Sequence, residues 1–442
     1  MSAWISDPAV QERWSAALAE AAPVRYGVVR RVTGMGFEVA GLDAAIGDMI
    51  IVEGRHGDLV GQVVGLRQGR VLASAFGELE GIRDGQRAIT PGGPPDVPVG
   101  IALLGRVVDA LGRPIDGRGD LGMVRRVGLD ANAPAPLDRR RIAQAFPTGI
   151  RAIDTAIPMG RGQRVGIFAG SGVGKSTLLS MIVRGSEADV VVIGLVGERG
   201  REVREFIERD LGPDGLERSV LVVATSDEPP MMRLAAARTA TRIAEEFRDQ
   251  GLNVLLLVDS ITRFAMAQRE VGLAAGEFPA SRGYPASVLA TLPKLLERSG
   301  MSANGSITAI YTVLVEGDDM NEPVADTVRS ILDGHVVLSR RLAHRGHYPA
   351  IDVLASVSRV VGEVCSKEEL ELAAQLRSHM AAYEESRDLI EVGAYVSGTN
   401  PHTDAAVRHI DSINDFLVQH SDLAVDRREA FSTLAAALKE EG

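Results

Sequence analysis

The alternation of apolar and polar positions takes four successive forms along these 442 residues. Residues 7–22 repeat at helical spacing: Val10, Trp14, Ala17 and Leu18 share one face, Asp7 can cap it, and Pro8 suits its first turn. Such a terminal stripe either packs on its own domain or docks a partner, and the pattern leaves both open. From Val24 to about Pro95, short β-prone runs (YGVVRRV, FEVAGL, DMIIVE, LVGQVVGL, RVLASAF) alternate with Gly-containing turns. Their spacing of roughly 8–12 residues predicts a small β-barrel or sandwich. TPGGPPDVPVG, at 90–100, is a turn-rich boundary. From about Ile101 to Ser358 apolar runs alternate with helical patterns; RVGIFAG (164–170), VVVIGLVG (190–197), SVLVVATS (219–226), VLLLVDS (254–260) and SITAIYTVL (306–314) read as strands. They are apolar along most of their length, as strands buried on both faces of a parallel sheet are. Beyond Cys365 the chain turns charged and helix-prone, as in KEELELAAQLRSHMAAYEESRDLI. The expected layout is an N-terminal helix over 1–22, a β-barrel over 23–95, an α/β core over 96–365 and a helical domain over 366–442.

Composition narrows this picture only modestly. The chain is 45% hydrophobic and 24% charged, as ordinary globular proteins are. No apolar run approaches the ~20 residues needed to span a bilayer. The opening MSAWISDPAVQERW lacks the basic start and apolar core of a secretory signal, so the expected location is the cytosol. Cys365 is the only cysteine, which excludes intrachain disulfides and thiolate metal clusters. A net charge of −11 counts against general binding to a phosphate backbone. The barrel segment offers only Tyr26, Phe37 and Phe76 for base stacking. It therefore reads as a structural or oligomer-forming barrel, and no nucleic-acid partner is expected.

The chemistry begins where VGIFAG leads into AGSGVGKS (169–176) and then into the helix-prone TLLSMIV. This is the phosphate-loop pattern G-x-x-x-x-G-K-[ST], with Ala169 in place of the first glycine. Glycines let successive backbone N–H groups turn inward on phosphates, and the following helix N-terminus adds positive potential. Nucleotide contacts are expected from Ala169, Gly170, Ser171, Gly172, Val173, Gly174, Lys175, Ser176 and Thr177. Lys175 can reach the β- and γ-phosphates, and the Ser176 hydroxyl can ligate Mg2+. Alanine at 169 leaves the cradle intact as long as its φ is unstrained.

VLLLVDS ends in Asp259, at the strand end where ligands of open parallel sheets bind. Asp259 is a candidate to hold Mg2+, directly or through water, and it also reads as a helix cap; the two roles are compatible. Glu198 follows another buried strand in VVVIGLVGERGREV, flanked by Arg199 and Arg201. Two readings stay open for it: a carboxylate that polarises water for in-line attack, or part of a solvated charged turn.

In chain order the sequence also carries LLGRVVDALGRPIDGRG (103–119), PTGIRAID (147–154), DSITRFAMAQRE, PASRGYPASV, ILDGHVVLSR and HYPAIDVLASVSR. With these and the phosphate loop it resembles, from Val24 to its end, the α/β-subunit family of rotary ATPases. DSITRFAMAQREVGLAAGEFPASRGYPASVLATLPKLLERSG, VLVEGDDMNEPVADTVRSILDGH and DLIEVGAYVSGTNPHTDAAV are similar to the type III secretion ATPases of flagella and injectisomes. The resemblance implies a P-loop RecA-like core between barrel and helical domain, with ATP and Mg2+ as ligands. It makes Glu198 the catalytic carboxylate and places Arg199 and Arg263 around the γ-phosphate. Tyr348 matches a tyrosine that stacks on adenine, and Arg359 matches an arginine finger supplied by the neighbouring subunit. Arg340 and Arg341, in LSRR, match nothing of the kind and read as structural. The loop holding Glu277, Phe278, Arg282 and Tyr284 resembles a pore-facing loop that touches a central stalk. For the family's second adenine-packing aromatic, Phe431 is the sole candidate.

The implied function is ATP hydrolysis by a homo-hexamer that energises protein export, flagellar before virulence secretion. Expected partners are a stator-like regulatory protein at the N-terminus, a stalk protein in the pore, chaperone–substrate complexes and a membrane export gate. The expected place of work is the inner face of the cell membrane. An ATP synthase subunit is the next reading. A Rho-type nucleic-acid motor sits poorly with the acidic charge, and an inactive ring subunit with the joint presence of Lys175, Glu198, Asp259 and Arg359.

Overall fold

The computed structural model describes residues 26–439 apart from 55, 56, 316 and 318, together with residue 14. The helix expected over 7–22 therefore lies outside the described residues, save for an exposed Trp14. The chain forms two compact units, Met1–Pro95 and Asp96–Gly442.

In the first unit six short strands close into a barrel. β1 (Gly27–Thr33), β2 (Gly36–Ala40), β3 (Met49–Val52), β4 (Leu59–Arg67), β5 (Arg70–Ala75) and β6 (Arg87–Ile89) pair in the order β1-β2-β5-β4-β3-β6. Closure leaves no unpaired edge. Alternate residues point inward: Val29, Phe37, Val39, Ile50, Val52, Val71 and Ala88 form its core. β6 escaped the sequence reading because RAI is too short to show alternation. Phe37 and Phe76 are buried, while Tyr26 is exposed under the Arg87 guanidinium, 4.4 Å from its ring centre.

The second unit is built on a nine-stranded sheet. A two-stranded ribbon, β7 (Asp96–Val99) with β9 (Arg125–Gly128), stands outside it. The sheet strands are β8 (Val107–Asp109), β10 (Arg164–Ala169), β11 (Val190–Glu198), β12 (Ser219–Thr225), β13 (Asn253–Asp259), β14 (Gly300–Met301), β15 (Ser306–Leu314), β16 (Gly334–Leu338) and β17 (Ile351–Ser358). Their order is β17-β16-β10-β15-β13-β11-β12-β8, with β14 paired to β15. All neighbours along that order run parallel except β17, which returns antiparallel to β16. The five apolar runs singled out in the sequence are the five central strands, buried along nearly their whole length.

Helices cover both faces. α1 (Arg151–Ala156), α2 (Lys175–Gly185), α3 (Pro230–Asp249), α4 (Ile261–Ala274) and α5 (Ala286–Leu296) lie between strands, and α6 (Lys367–Glu391), α7 (Pro401–Leu417) and α8 (Arg427–Ala437) follow the last one. Polar caps start the terminal three: a Ser366–Glu369 capping box, Asn400 and Asp426. Their apolar stripe, including Leu376, Ile413, Phe416, Phe431 and Leu434, shares one core with Ile153 of α1, with Ile157 just after it, and with the strands. Under this junction Asp154 is fully buried, accepting bonds from Thr148 N, Thr148 Oγ1 and Gly149 N at 2.8, 2.8 and 2.9 Å. Burial pushes its carboxyl up to about 6 despite those donors. No helix among the described residues is long and apolar enough to cross a membrane.

Candidate active site

β10 ends at Ala169, which lies opposite Leu314 on one side and Leu338 on the other. The chain then turns through Gly170–Gly174 and enters α2 at Lys175. Gly172 and Gly174 hold positive φ, 76° and 88°, which L side chains rarely adopt. A Cβ on Gly174 would also meet the Tyr348 ring at 3.5 Å. Ala169 is not among the residues with positive φ, so the alanine brings no strain. Val173 is the loop's apolar anchor, buried in the core of the unit.

Loop, strand ends and α2 together border a cavity of about 670 Å³ that reaches Glu198, Arg199, Glu202, Arg263 and Arg340. Volume alone does not single it out. A cavity of about 690 Å³ lies beside Asp130, Arg238, Lys294 and Arg298, near the N-terminal ends of the strands. There Arg298 is consumed by Glu245 at 2.7 Å, and Arg238 stands 3.7 Å from Asp130. The first cavity is distinguished by half-buried acid and base side chains that meet.

Lys175 Nζ donates to Asp259 Oδ1 and, at 3.4 Å, to Glu198 Oε1. The three side chains come from α2 and from the C-terminal ends of β11 and β13, strands that are direct neighbours. Burial works against the ammonium, yet Asp259 and Glu198 outweigh it, and Lys175 holds its proton more tightly than a free lysine. Glu198 also holds its proton more tightly than a free carboxyl: burial raises it, Lys175 pulls it down, Asp259 and Glu202 raise it again, and it ends at about 7. Asp259 has the closer contact with Lys175 and a second donor, Thr312 Oγ1 at 2.6 Å. At Glu198 burial outweighs the pull of Lys175.

Arg263 follows the same strand end one turn into α4, where Ser260 Oγ accepts from its N–H at 3.3 Å and caps the helix. Its stem lies on Gly197, whose positive φ of 72° and absent Cβ make room; an added Cβ would stand 3.0 Å from Arg263 Cβ. Arg199 is exposed and reaches Glu202 at 3.5 Å. Tyr348 is 44% exposed beside the phosphate loop, and Gln419 N donates to its carbonyl at 2.9 Å. Phe431 does not join it. Its ring is buried in the helical core with the Arg427 guanidinium 5.0 Å above it.

Arg359 is not brought to the cavity within the chain. Ser358 lies opposite Gly334 at the start of β16, whereas Leu338, at its other end, lies opposite Ala169. Four residues of strand, roughly 13 Å, separate the two levels. The loop after α4 has mixed exposure. Phe278 is 89% exposed, whereas Glu277 accepts from Ser287 N at 3.3 Å, Arg282 donates to Asp319 at 2.9 Å, and Tyr284 is buried under Arg269.

Three residues of this neighbourhood were not singled out by sequence reasoning: Thr312, Glu202 and, as a wall of the cavity, Arg340. Thr312 left a trace, as a hydroxyl inside the otherwise apolar run SITAIYTVL. The sequence pattern did not mark the other two, since an arginine in LSRR and a glutamate in GREV look like solvated charges.

Comparison with known proteins follows this geometry segment by segment. Residues 29–90 match the ATP synthase alpha/beta family, beta-barrel domain, and residues 149–358 its nucleotide-binding domain. Residues 365–436 match the T3SS EscN ATPase C-terminal domain. The flagellum-specific ATP synthase of Bacillus subtilis (strain 168) is 49% identical over 415 residues, 93% of this chain and 95% of its own. A type 3 secretion system ATPase of Xanthomonas euvesicatoria is 52% identical over 400 residues, 90% of each. The assembled ATPase EscN from the enteropathogenic E. coli type III secretion system superposes with a TM-score of 0.89 at 43% identity, over 93% of this chain and 100% of that one. EscN in complex with its central stalk EscO does so with a TM-score of 0.86 at 43% identity, over the same shares. Barrel, sheet and C-terminal helices are matched in chain order, and the chain thus belongs to the ATP synthase alpha/beta family as an ATPase of the type III export branch.

Proposed function

We propose that this chain hydrolyses ATP as a magnesium-dependent homo-hexamer and that the ring energises protein export through the flagellar apparatus. The observation that carries the chemistry is the meeting of Lys175, Glu198 and Asp259 at one edge of a cavity floored by a phosphate loop. Backbone N–H groups of 170–174 and the α2 N-terminus receive the phosphates, and Lys175 exchanges its carboxylates for phosphate oxygens. Ser176 and Asp259 offer only hard oxygens, and no group of three or more metal-binding side chains stands among the described residues. That donor set fits magnesium, which keeps waters and takes its remaining ligands from phosphate. When bound with the nucleotide, the ion neutralises charge on the phosphates. Thr312 holds the Asp259 carboxylate in place for it. Glu198 accepts the proton of the attacking water as the oxygen bonds to the γ-phosphorus and ADP departs; a carboxyl near 7 suits that transfer. Arg199 and Arg263 stabilise charge on the γ-phosphate, and Tyr348 packs on adenine.

Arg359 completes the site of the next subunit, a reading supported by its exposure and its position at the other end of the sheet. The exposed Phe278 supports stalk contact by its loop, with Glu277, Arg282 and Tyr284 holding the loop's shape. Residues 1–22 dock a stator-like regulator, and the ring receives chaperone–substrate complexes at an export gate on the cytoplasmic face of the membrane. The flagellar assignment is supported by the longer alignment with the Bacillus subtilis relative, 415 residues against 400. The injectisome reading is supported by the higher identity, 52% against 49%.

Complementation separates them. Placed in cells lacking their flagellar export ATPase, the chain should restore export of hook and filament subunits. Rescue only of an injectisome-ATPase mutant would favour the second reading. Rescue of neither, with ATP turnover intact and the protein expressed, would overturn the export role.

A further inference from the structure

β10, which carries the phosphate loop, has neighbours on both sides. Asp259, Glu198, Arg199 and Arg263 all stem from strands on one side, in the order β15-β13-β11. On the other side stand β16, whose Leu338 is level with Ala169, and beyond it β17. Two residues beyond that register point lie Ser171, after β10, and Arg340, after β16. Arg340 accordingly borders both the 670 Å³ cavity and an adjoining 210 Å³ cavity walled by Phe168, Val337 and Leu338. It is half-buried and makes no hydrogen bond or ion pair among the described residues. Its neighbours are engaged: Arg341, on the same short helix (Arg340–His344), donates to Glu384 at 2.8 Å, and Arg345, just past its end, stands 3.9 Å from Glu391. A guanidinium is charged at every working pH, and its planar fork of donors matches phosphate oxygens.

We propose that Arg340 is a nucleotide-binding residue of the same subunit, closing on the phosphate chain from the side of β10 opposite Arg199 and Arg263. This rests on the reading of the cavity as the ATP site. Its ligand is the phosphate chain and not the base, because Arg340 borders the smaller cavity together with Ala169 and Gly170, at the start of the loop, while Tyr348 lies against Gly174 at its end. The adjoining cavity is lined by Phe168, Val337 and Leu338 and also by Asp352, so the guanidinium stands partly out of water, where its charge counts for more.

The test uses the full-length protein with ATP, ADP and AMP as probes. Arg340→Gln, which keeps length and polarity, should weaken ATP and ADP binding by about 10-fold or more. AMP binding should fall by less, and kcat at saturating ATP should drop by under about 3-fold. Arg340→Lys should recover part of the affinity, because a point charge replaces the fork. Arg341→Gln should leave all three affinities unchanged. Equal losses for ATP, ADP and AMP would overturn the proposal, since Arg340 would then only shape the cavity wall; unchanged ATP affinity would overturn it too. Lys175→Ala runs in parallel. If it also binds and turns over ATP normally, the cavity is not the ATP site, whereas its failure beside a normal Arg340→Gln rejects this inference alone.

Discussion

At the C-terminal ends of β10, β11 and β13 the charged groups are largely withdrawn from solvent and answer one another within the chain. At the other end of the same sheet, Arg164 is likewise held, by Asp333 at 3.0 Å and Glu297 at 2.6 Å. Arg359, whose backbone N–H donates to that same Asp333, is exposed and has no ion pair among the described residues. Lys175 and Arg164 are paired within the chain, because an uncompensated buried ion costs several kcal/mol. An arginine left in water beside a saturated network is free to meet an anion on a neighbour. On the proposed reading, the difference separates the parts of the site that one subunit completes from the arginine it lends.

The largest expected effect would break this comparison outright. Arg359→Ala should lower turnover by about 10³-fold or more while ATP affinity changes far less, and Lys175→Ala should be as inactive. Mixing the two dead proteins should restore part of the activity, because interfaces with an intact cradle and an intact finger reappear around the ring. Wild-type specific activity should climb with protein concentration. A mixture that stays dead in demonstrated mixed rings, with wild-type activity flat against concentration, returns Arg359 to a structural role.

A second measurement sharpens the cradle end. Burial raises the Glu198 carboxyl to about 7 and the Asp154 carboxyl to about 6, both above the usual carboxylate range. A raised folded-state value means that the folded chain binds protons more tightly than the unfolded one. The associated stability is full below about pH 4 and is lost as pH rises through 6 to 7. Glu198 as a base needs the opposite state, so kcat/KM should rise across the same window. Activity up and melting temperature down between pH 5 and 7.5 is the expected signature. Glu198→Gln should retain bound ATP without turning it over and should flatten the part of the stability slope above pH 6. Parallel rise or fall of both quantities would contradict this assignment.

The smallest effect separates two aromatics. Phe431→Leu should cost about 1–2 kcal/mol of stability, read by denaturant unfolding, and leave KM for ATP unchanged, because its ring is core. Tyr348→Ala should do the reverse, raising KM with little change in stability. Equal effects on KM would put Phe431 back at the base.

Local pattern carried much of this protein. The apolar runs marked the five central strands and the glycine-rich turn marked the phosphate loop, because a buried parallel strand and a cradle of N–H groups each demand a residue type at every position. Alternation also announced the barrel, although β6, at three residues, was too short for it. What pattern did not reach were relations between distant residues. The pairing of Lys175 with Asp259, 84 positions away, and of Thr312 with Asp259, 53 away, follows from β10, β15 and β13 lying side by side. Phe431 as core, Arg340 as cavity wall and Arg359 at the opposite end likewise depend on which strand neighbours which and in which direction it runs. Sequence by itself determined the elements and the chemistry they carry, since those rest on near neighbours in the chain. Only the tertiary structure decided which charges face one another, because strand order and register set proximity, and proximity sets proton affinity.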